Sequence, residues 1–479
     1  MNAPLAYPPA RAEPPLSTSG STARDGLLRR LAAAVRERRA SAARPLLAAL
    51  QHLAPSDPAV LEWQARLLAL EDRAAEALDL LGHAALSPSL LLCRGELRLQ
   101  VQNPAGAAAD FADAVLAGPA SVEARALLGM ALSQLGCTAD ALACLRDAVA
   151  GAPGHAAYWQ ALAQALHTAG DAEAAAATLS NAIARCPADL GLRRSAIMLA
   201  MQRRDHAGAA ALAELARRAG VADACVLGLL GHALSSLGRH ADAALAYADA
   251  RMLAPEDPYV RHLAAAAGLS PDAGQAAPEY VEVVFDGYAP RFDAHIGSLG
   301  YRIPGVLRAE LAAWDGAGPV LDLGCGTGLA AAALAGLPLG PFIGVDLSSG
   351  MLARAAGGRR YAELHHAEIG AFLTRETRSF PLILAADVLP YFGDLAPLLR
   401  LAAPRLAPCG TMLASVEDLG GEGTWRLGRL GRYQHTATHV RDAAGQAGLH
   451  VAVLRPEAVR QEGNAPVPGL FVVLRKEAS

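Results

Sequence analysis

Paired cysteines, lysine, aromatic rings and a surplus of either charge are all scarce in this chain; the scarcity of lysine and aromatics says nothing about chemistry, but the other two each remove a class of function. None of the seven cysteines forms a C-x-x-C pair, so reduced thiols are expected and no metal site is. A net charge of −4, with charged residues at 18% of the total, leaves no basic footprint for nucleic acid. The first twenty residues hold no apolar run of the kind a secretory leader needs, so the cytoplasm is the expected location. The arginines at 29, 30, 36, 38 and 39 are interspersed with Asp25 and Glu37 and read as a solvated helix face. Gly324 to Val345 carries no charge over a membrane-crossing length, but Pro338, Gly340 and Pro341 would break a spanning helix. No membrane partner is expected; that span reads instead as turn, helix, loop and strand.

What is present begins with length and periodicity. At 479 residues the chain exceeds one core, and two to four domains are expected. From Pro88, segments beginning at residues 88, 122, 156, 190 and 224 keep a period of 34 without a gap. Alanine recurs at 107, 141, 175, 209 and 243 and again at 114, 148, 182, 216 and 250. Small side chains there let two helices of a unit approach closely, while Phe111, Leu145, Leu179 and Tyr247 fill the seam. Pro119, Pro153, Pro187 and Pro255 stop the second helix; the fourth unit has Val221 there.

The second signal is Val320-Leu321-Asp322-Leu323-Gly324-Cys325-Gly326-Thr327-Gly328, followed after a helix-length interval by Phe342-Ile343-Gly344-Val345-Asp346. A buried strand, a turn without obstructing side chains and a helix start are implied, with an acid at the end of the next strand to accept ribose hydroxyls. The spacing is G-x-G-x-G. A dinucleotide site usually needs G-x-G-x-x-G to present a helix N-terminus to a pyrophosphate, and Asp322 would repel a phosphate while suiting an ammonium. S-adenosylmethionine fits both facts, and a nicotinamide oxidoreductase fits neither. From Pro319, strands are predicted at 319–323, 341–346, 361–365, 380–386, 410–416, 449–455 and 469–475, alternating with helices. That pattern describes an open, doubly wound, seven-stranded α/β sheet after an all-α solenoid.

The repeat columns resemble the tetratricopeptide repeat, and residues 280–477 resemble the class I S-adenosylmethionine-dependent methyltransferases. The combination is similar to a bacterial group of predicted tetratricopeptide-containing methyltransferases. This resemblance implies a disordered segment at 1–23, a solenoid of about seven helix pairs at 24–268, a linker at 269–278 and a Rossmann-like methyltransferase domain at 279–479. It implies cofactor contacts from Asp322, Gly324, Cys325, Gly326 and Gly328, from Asp346 and Leu347 at the ribose, and from Glu368 at the adenine amino group. Asp387, in Ala386-Asp387-Val388, would border the methyl group and the acceptor, or else hold a loop backbone. Phe285-Asp286-Gly287-Tyr288 resembles an N-terminal lid with Tyr288 closing over the cofactor; the spacing of 285, 288 and 292 equally suits a helical packing face.

In-line displacement from an activated sulfonium asks mainly for alignment and exclusion of water. A base for a high-pKa acceptor could come from His365, His366, His435, His439, Asp394 or Glu417. The implied activity is methyl transfer to a small metabolite or to a protein recruited on the concave face of the repeats. The competing reading is an adaptor whose methyltransferase-like half only senses cofactor or is inactive.

Overall fold

The computed structural model describes residues 21–55, 57–82, 86–316, 318–462 and 465–478. Most of the segment expected to be disordered lies outside the described residues, and helix begins already at Ser21 rather than at 24. The chain forms two compact units, one ending at Val221 and one running from Ala222 to the C-terminus.

The first unit is all helical, and its regular part shows why a period of 34 folds as it does. First helices at Pro88–Gln100, Val122–Gln134, Ala156–Thr168 and Leu190–Gln202 alternate with second helices at Pro104–Ala117, Thr138–Gly151, Ala172–Arg185 and His206–Arg218. Side-chain oxygens of Asn103, Asp171 and Asp205 accept the orphan N–H groups of second-helix first turns. Ala107, Ala141, Ala175 and Ala209 are fully buried. Facing the seam residues is a column that the sequence reading did not include. A Cβ on Gly95 would stand 2.4 Å from Phe111, and one on Gly129 would stand 2.7 Å from Leu145. Glycine on the first helix thus makes room for the large residue on the second. The fourth unit exchanges the sizes, with buried Ile197 at the glycine position and buried Ala213 at the seam position.

The second unit opens with the fifth repeat pair, Ala224–Ser236 and His240–Leu253, followed by the helix Pro258–Ala266. Here Gly231 lies against Tyr247, whose ring a Cβ would meet at 2.4 Å. The segment 269–278, expected as a linker, is hydrogen-bonded into the sheet domain: Ala276 N–H donates to the Tyr391 carbonyl at 2.9 Å and Gly393 N–H to that of Gly274 at 2.8 Å. Helices Pro278–Tyr288, Phe292–Ser298 and Ile303–Glu310 then precede the sheet.

Its strands are β1 Val320–Leu323, β2 Phe342–Asp346, β3 Tyr361–His366, β4 Phe380–Ala385, β5 Leu406–Asp418, β6 Trp425–Leu427, β7 Tyr433–His435, β8 Leu449–Glu462 and β9 Ala465–Lys476. The seven expected strands are all present. Two more, β6 and β7, form a short hairpin that joins the end of β5 at Glu417 and Asp418; three-residue strands leave too little alternation to read from sequence. Strands β3, β2, β1, β4 and β5 are parallel in that order, and β9 pairs antiparallel with β5 and β8 with β9. Both faces of β1 are covered: Leu321 and Leu323 join one apolar cluster, Val320 the other. Continuous burial of this kind is what parallel strands between two helix layers require. Because the chain leaves β1 toward β2 on one side and reaches β4 on the other, the order reverses beside β1, and a crevice opens at the strand ends there.

Among the described residues no helix is long and apolar enough to cross a membrane. The charge-free run 324–345 resolves into the turn after β1, the helix Leu329–Ala333 and β2.

Candidate active site

A cavity of about 330 Å³ occupies that crevice. The glycine turn forms its floor. Gly324, Gly326 and Gly328 all have positive φ, at 68°, 55° and 88°, a region that side-chain-bearing residues seldom adopt. At Gly324 the constraint is also steric, since a Cβ would stand 2.5 Å from a Val388 methyl. Glycine there therefore brings the ends of β1 and β4 together.

Asp322 and Asp346 both line the cavity. Asp322 is buried and accepts a 2.7 Å hydrogen bond from the Tyr361 hydroxyl. Burial raises its carboxyl to about 7, nearby Asp346 adds to the rise, and the Tyr361 bond opposes it. Asp346 accepts the Gly326 N–H on one oxygen and the Ser348 N–H on the other, each at 2.8 Å. Burial raises its pKa against those bonds. Two carboxylates thus flank a bare backbone turn, one fixed to the turn itself. Cys325 is buried and its thiol pKa is pushed up by that burial, so it contributes main chain and no nucleophile. Leu347 lines the cavity with Met351 and Ile369.

Glu368 stands outside the cavity lining. It is the N-cap of the helix Ile369–Arg375, and its carboxylate accepts the Ala371 N–H at 2.6 Å. The longer side chain reaches its own helix, and the next residue, Ile369, presents an apolar face to the cavity instead.

Asp387 lines the cavity from the end of β4. Its backbone is left-handed, with φ of 58°, and its N–H donates to Ser415 Oγ at 2.9 Å. An aspartate held in this sparsely populated conformation costs on the order of 1 kcal/mol and requires support from its surroundings. Arg432 provides it, donating to Asp387 at 2.5 Å, to Glu417 at 2.5 Å and to the Tyr391 hydroxyl at 3.3 Å. Arg460 donates to the same Glu417 oxygen at 2.8 Å. Burial pushes Glu417 up, but the two guanidiniums more than offset it and hold the carboxyl below its ordinary value. Arg432, Arg460 and Tyr391 all line the cavity, and no motif in the sequence marks them for that role. Arg432 begins before β7 and Arg460 lies late in β8, so no local pattern joins them to the glycine turn.

This arrangement removes the base candidates drawn from the sequence. Glu417 is locked between two arginines. His435 is buried, bonds the Phe392 carbonyl at 2.8 Å, and is lowered by that burial to about 4. His439 Nε2 accepts the Leu395 N–H at 3.3 Å, and Asp394 accepts the Ala396 N–H at 3.0 Å. His366 meets the Leu347 carbonyl and His365 meets Glu363. These groups serve the structure, and none of the histidines among them lines the cavity.

Over the cavity lies the aromatic segment at 285–292. Phe285, Tyr288 and Phe292 line it while packing edge to face, with Tyr288 and Phe292 ring centroids 5.2 Å apart, so the packing face and the cover are one surface. Two carboxylates pin this cover to the cofactor loops. Asp286 accepts from Ser348 Oγ at 2.6 Å and from Gly350 N–H at 2.9 Å; Asp293 accepts from Thr327 Oγ1 and from Arg354. Tyr288 bonds His295, and burial raises its phenol to about 12, so it stays protonated.

Residues 320–410 match the family described as methyltransferase domain. That match spans β1 through the start of β5. No curated protein matches. Among solved structures, an S-adenosylmethionine-dependent methyltransferase from Mesorhizobium loti is 23% identical over 36% of this chain and 96% of that one, with a TM-score of 0.29. The magnesium protoporphyrin IX methyltransferase of Synechocystis, solved with bound SAH, is 14% identical over 41% and 99%, with a TM-score of 0.31. A tetratricopeptide repeat protein from Parabacteroides merdae is 18% identical over 50% of this chain and 97% of that one, at 0.36.

Proposed function

We propose that this chain is an S-adenosylmethionine-dependent methyltransferase. The observation that carries this reading is the glycine turn, whose residues 324–327 line one cavity with Asp322 on one side and Asp346 on the other. The residues present fit the cofactor. Its ammonium group suits Asp322, its ribose hydroxyls suit the remaining lone pairs of Asp346, and its adenine suits the apolar side chains of Leu347, Met351 and Ile369. No phosphate is called for, and two carboxylates would repel one.

When bound, S-adenosylmethionine supplies a methyl group on a sulfonium, whose carbon–sulfur electron pair leaves with the sulfur. The chain's own contribution is position and dryness. Phe285, Tyr288 and Phe292 exclude water, Asp286 and Asp293 hold that cover down, and Asp387, fixed by Arg432 and Ser415, faces the acceptor side. Intact turn glycines and both acids favour an enzyme over an adaptor that has lost its chemistry. The repeats are read as the docking surface for a peptide or protein partner, by analogy with other solenoids.

Calorimetry tests the reading. S-adenosylmethionine and S-adenosylhomocysteine are expected to bind and NAD is not, and Asp346→Ala is expected to weaken both by tenfold or more, about 1.4 kcal/mol. Binding of NAD with no heat from either sulfur compound defeats the proposal.

A further inference from the structure

Adjoining the cofactor cavity is a larger one of about 700 Å³. The two share a partition, for Leu430, Arg432 and Arg460 line both. On the far side of that partition the polar lining is dominated by arginine. Arg426 and Arg429 join Arg432 and Arg460, and among the described side chains the one carboxylate in this lining is Glu417. Glu417 is already bonded to Arg432 and Arg460. Arg426 donates to the Gln434 amide oxygen at 3.0 Å, and among the described side chains no carboxylate pairs with Arg426 or Arg429. Both are exposed to solvent. Uncompensated guanidiniums on a concave wall concentrate anions and offer a planar fork to a carboxylate or phosphate. Apart from Gln434, the rest of the wall is largely apolar: Leu427 and Leu430 from the β6–β7 hairpin, Pro466 and Val467 from β9, and the backbone turn at the end of the helix Pro258–Ala266. A volume of this size is that of a small-molecule site.

We infer that this cavity receives the methyl acceptor, and that the acceptor is a small organic anion with an apolar body. Its carboxylate or phosphate lies against Arg426 and Arg429, its body against Leu427, Leu430 and Val467, and its reactive atom passes the shared Leu430–Arg432–Arg460 partition into the cofactor cavity, where its lone pair bonds the methyl carbon as the carbon–sulfur pair goes to sulfur and any proton it carried goes to solvent. The inference rests on the methyl-transfer reading above and narrows its acceptor.

The test uses the full chain with methyl-labelled S-adenosylmethionine and three acceptor pools. These are a protein-free metabolite extract split on an anion exchanger into retained and unretained fractions, and the protein of the same lysate. Label is expected in small molecules made from the retained fraction. Arg426→Glu with Arg429→Glu is expected to lower it tenfold or more, Arg426→Lys with Arg429→Lys to keep most of it, and neither to alter S-adenosylhomocysteine binding. Label arising from the unretained fraction or entering protein alone overturns the inference. So does transfer indifferent to the charge reversal, or no transfer from any pool by a protein that still binds S-adenosylhomocysteine. Failure of the unaltered chain to bind S-adenosylhomocysteine would instead bring down the methyl-transfer reading itself.

Discussion

Asp322 is where the cost of the site is concentrated. Its carboxyl is raised from the usual 3.8 to about 7, first by burial, so the folded chain holds a proton that the unfolded chain gives up between those values. Stability from this group is therefore fully present below about 3.8, is lost progressively as pH rises to about 7, and changes no further above that. Replacement by asparagine keeps an acceptor for the Tyr361 hydroxyl and removes the buried charge. Asp322→Asn is expected to stabilise the cofactor-free protein at pH 8, by an amount on the order of a few kcal/mol, and by less than half as much at pH 5. Urea midpoints at the two pH values measure it, and equal shifts at both would contradict the account. Cofactor binding runs the other way, because an ammonium needs the ionised carboxylate. Affinity for S-adenosylmethionine is expected to fall about tenfold per unit as pH drops below 7, and a flat calorimetric profile from pH 5.5 to 8.5 would refute the pairing. The glycines, Asp322 and Asp346 were legible because they are contiguous or separated by one helix. Tyr361, Arg432 and Arg460 were not, since they reach the site from β3, from the residue before β7 and from β8, with no spacing to mark them. The Glu368 reading had a local warning. An acid just before Ile369-Gly370-Ala371-Phe372 is a helix cap, and the carboxylate is used there.

Among the elements, the repeat pairs show a rule of paired sizes. Glycine at 95 and 129 faces a large residue at 111 and 145, while the fourth pair places Ile197 opposite in column to Ala213. The alanine columns and the seam were readable from the period alone. The facing column was not, because its residue type changes from glycine to alanine to isoleucine and only complementarity to the seam position remains constant. If volume is what is specified, then Gly95→Ile should overpack against Phe111 and destabilise the repeat unit by about 2–3 kcal/mol or more. Adding Phe111→Ala should recover much of that loss by reproducing the fourth pair. The interaction term of the double-mutant cycle, read from urea unfolding, is expected to be favourable and above about 1 kcal/mol. Additive losses would show that the helix contact tolerates no exchange. The β6–β7 hairpin belongs to this scale too. It was hidden by its brevity, yet it carries Arg426, Arg429 and Leu430 to the arginine-lined cavity.

For the whole molecule, the division of the chain falls inside the repeat array and not after it. The fifth helix pair and the helix Pro258–Ala266 belong to the compact unit that holds the sheet. Their attachment is polar and aromatic. His262 bonds the Gly431 carbonyl at 2.8 Å and stacks on Tyr280 at 4.0 Å, and Tyr433 bonds Asp272. Gly431, with φ of 80°, would bring a Cβ to 3.1 Å from the Tyr280 hydroxyl, so the backbone approaches these rings as closely as it can. A period-based reading ends the solenoid at its last repeat and starts the enzyme after a linker, because periodicity reports which helices are alike and not which core they bury against. The two boundaries make different fragments. A chain of residues 222–479 keeps His262 and the wall of the arginine-lined cavity, and is expected to unfold in one cooperative transition. A chain of residues 270–479 exposes Tyr280 and leaves the Gly431 carbonyl without its imidazole, at a cost of about 2–5 kcal/mol from lost burial and one lost hydrogen bond. Its urea midpoint is expected to fall clearly below that of 222–479. Equal midpoints for the two fragments would mean that the last repeat merely rests on the sheet domain, and that the arginine-lined cavity is closed by a wall the domain does not need for its own stability.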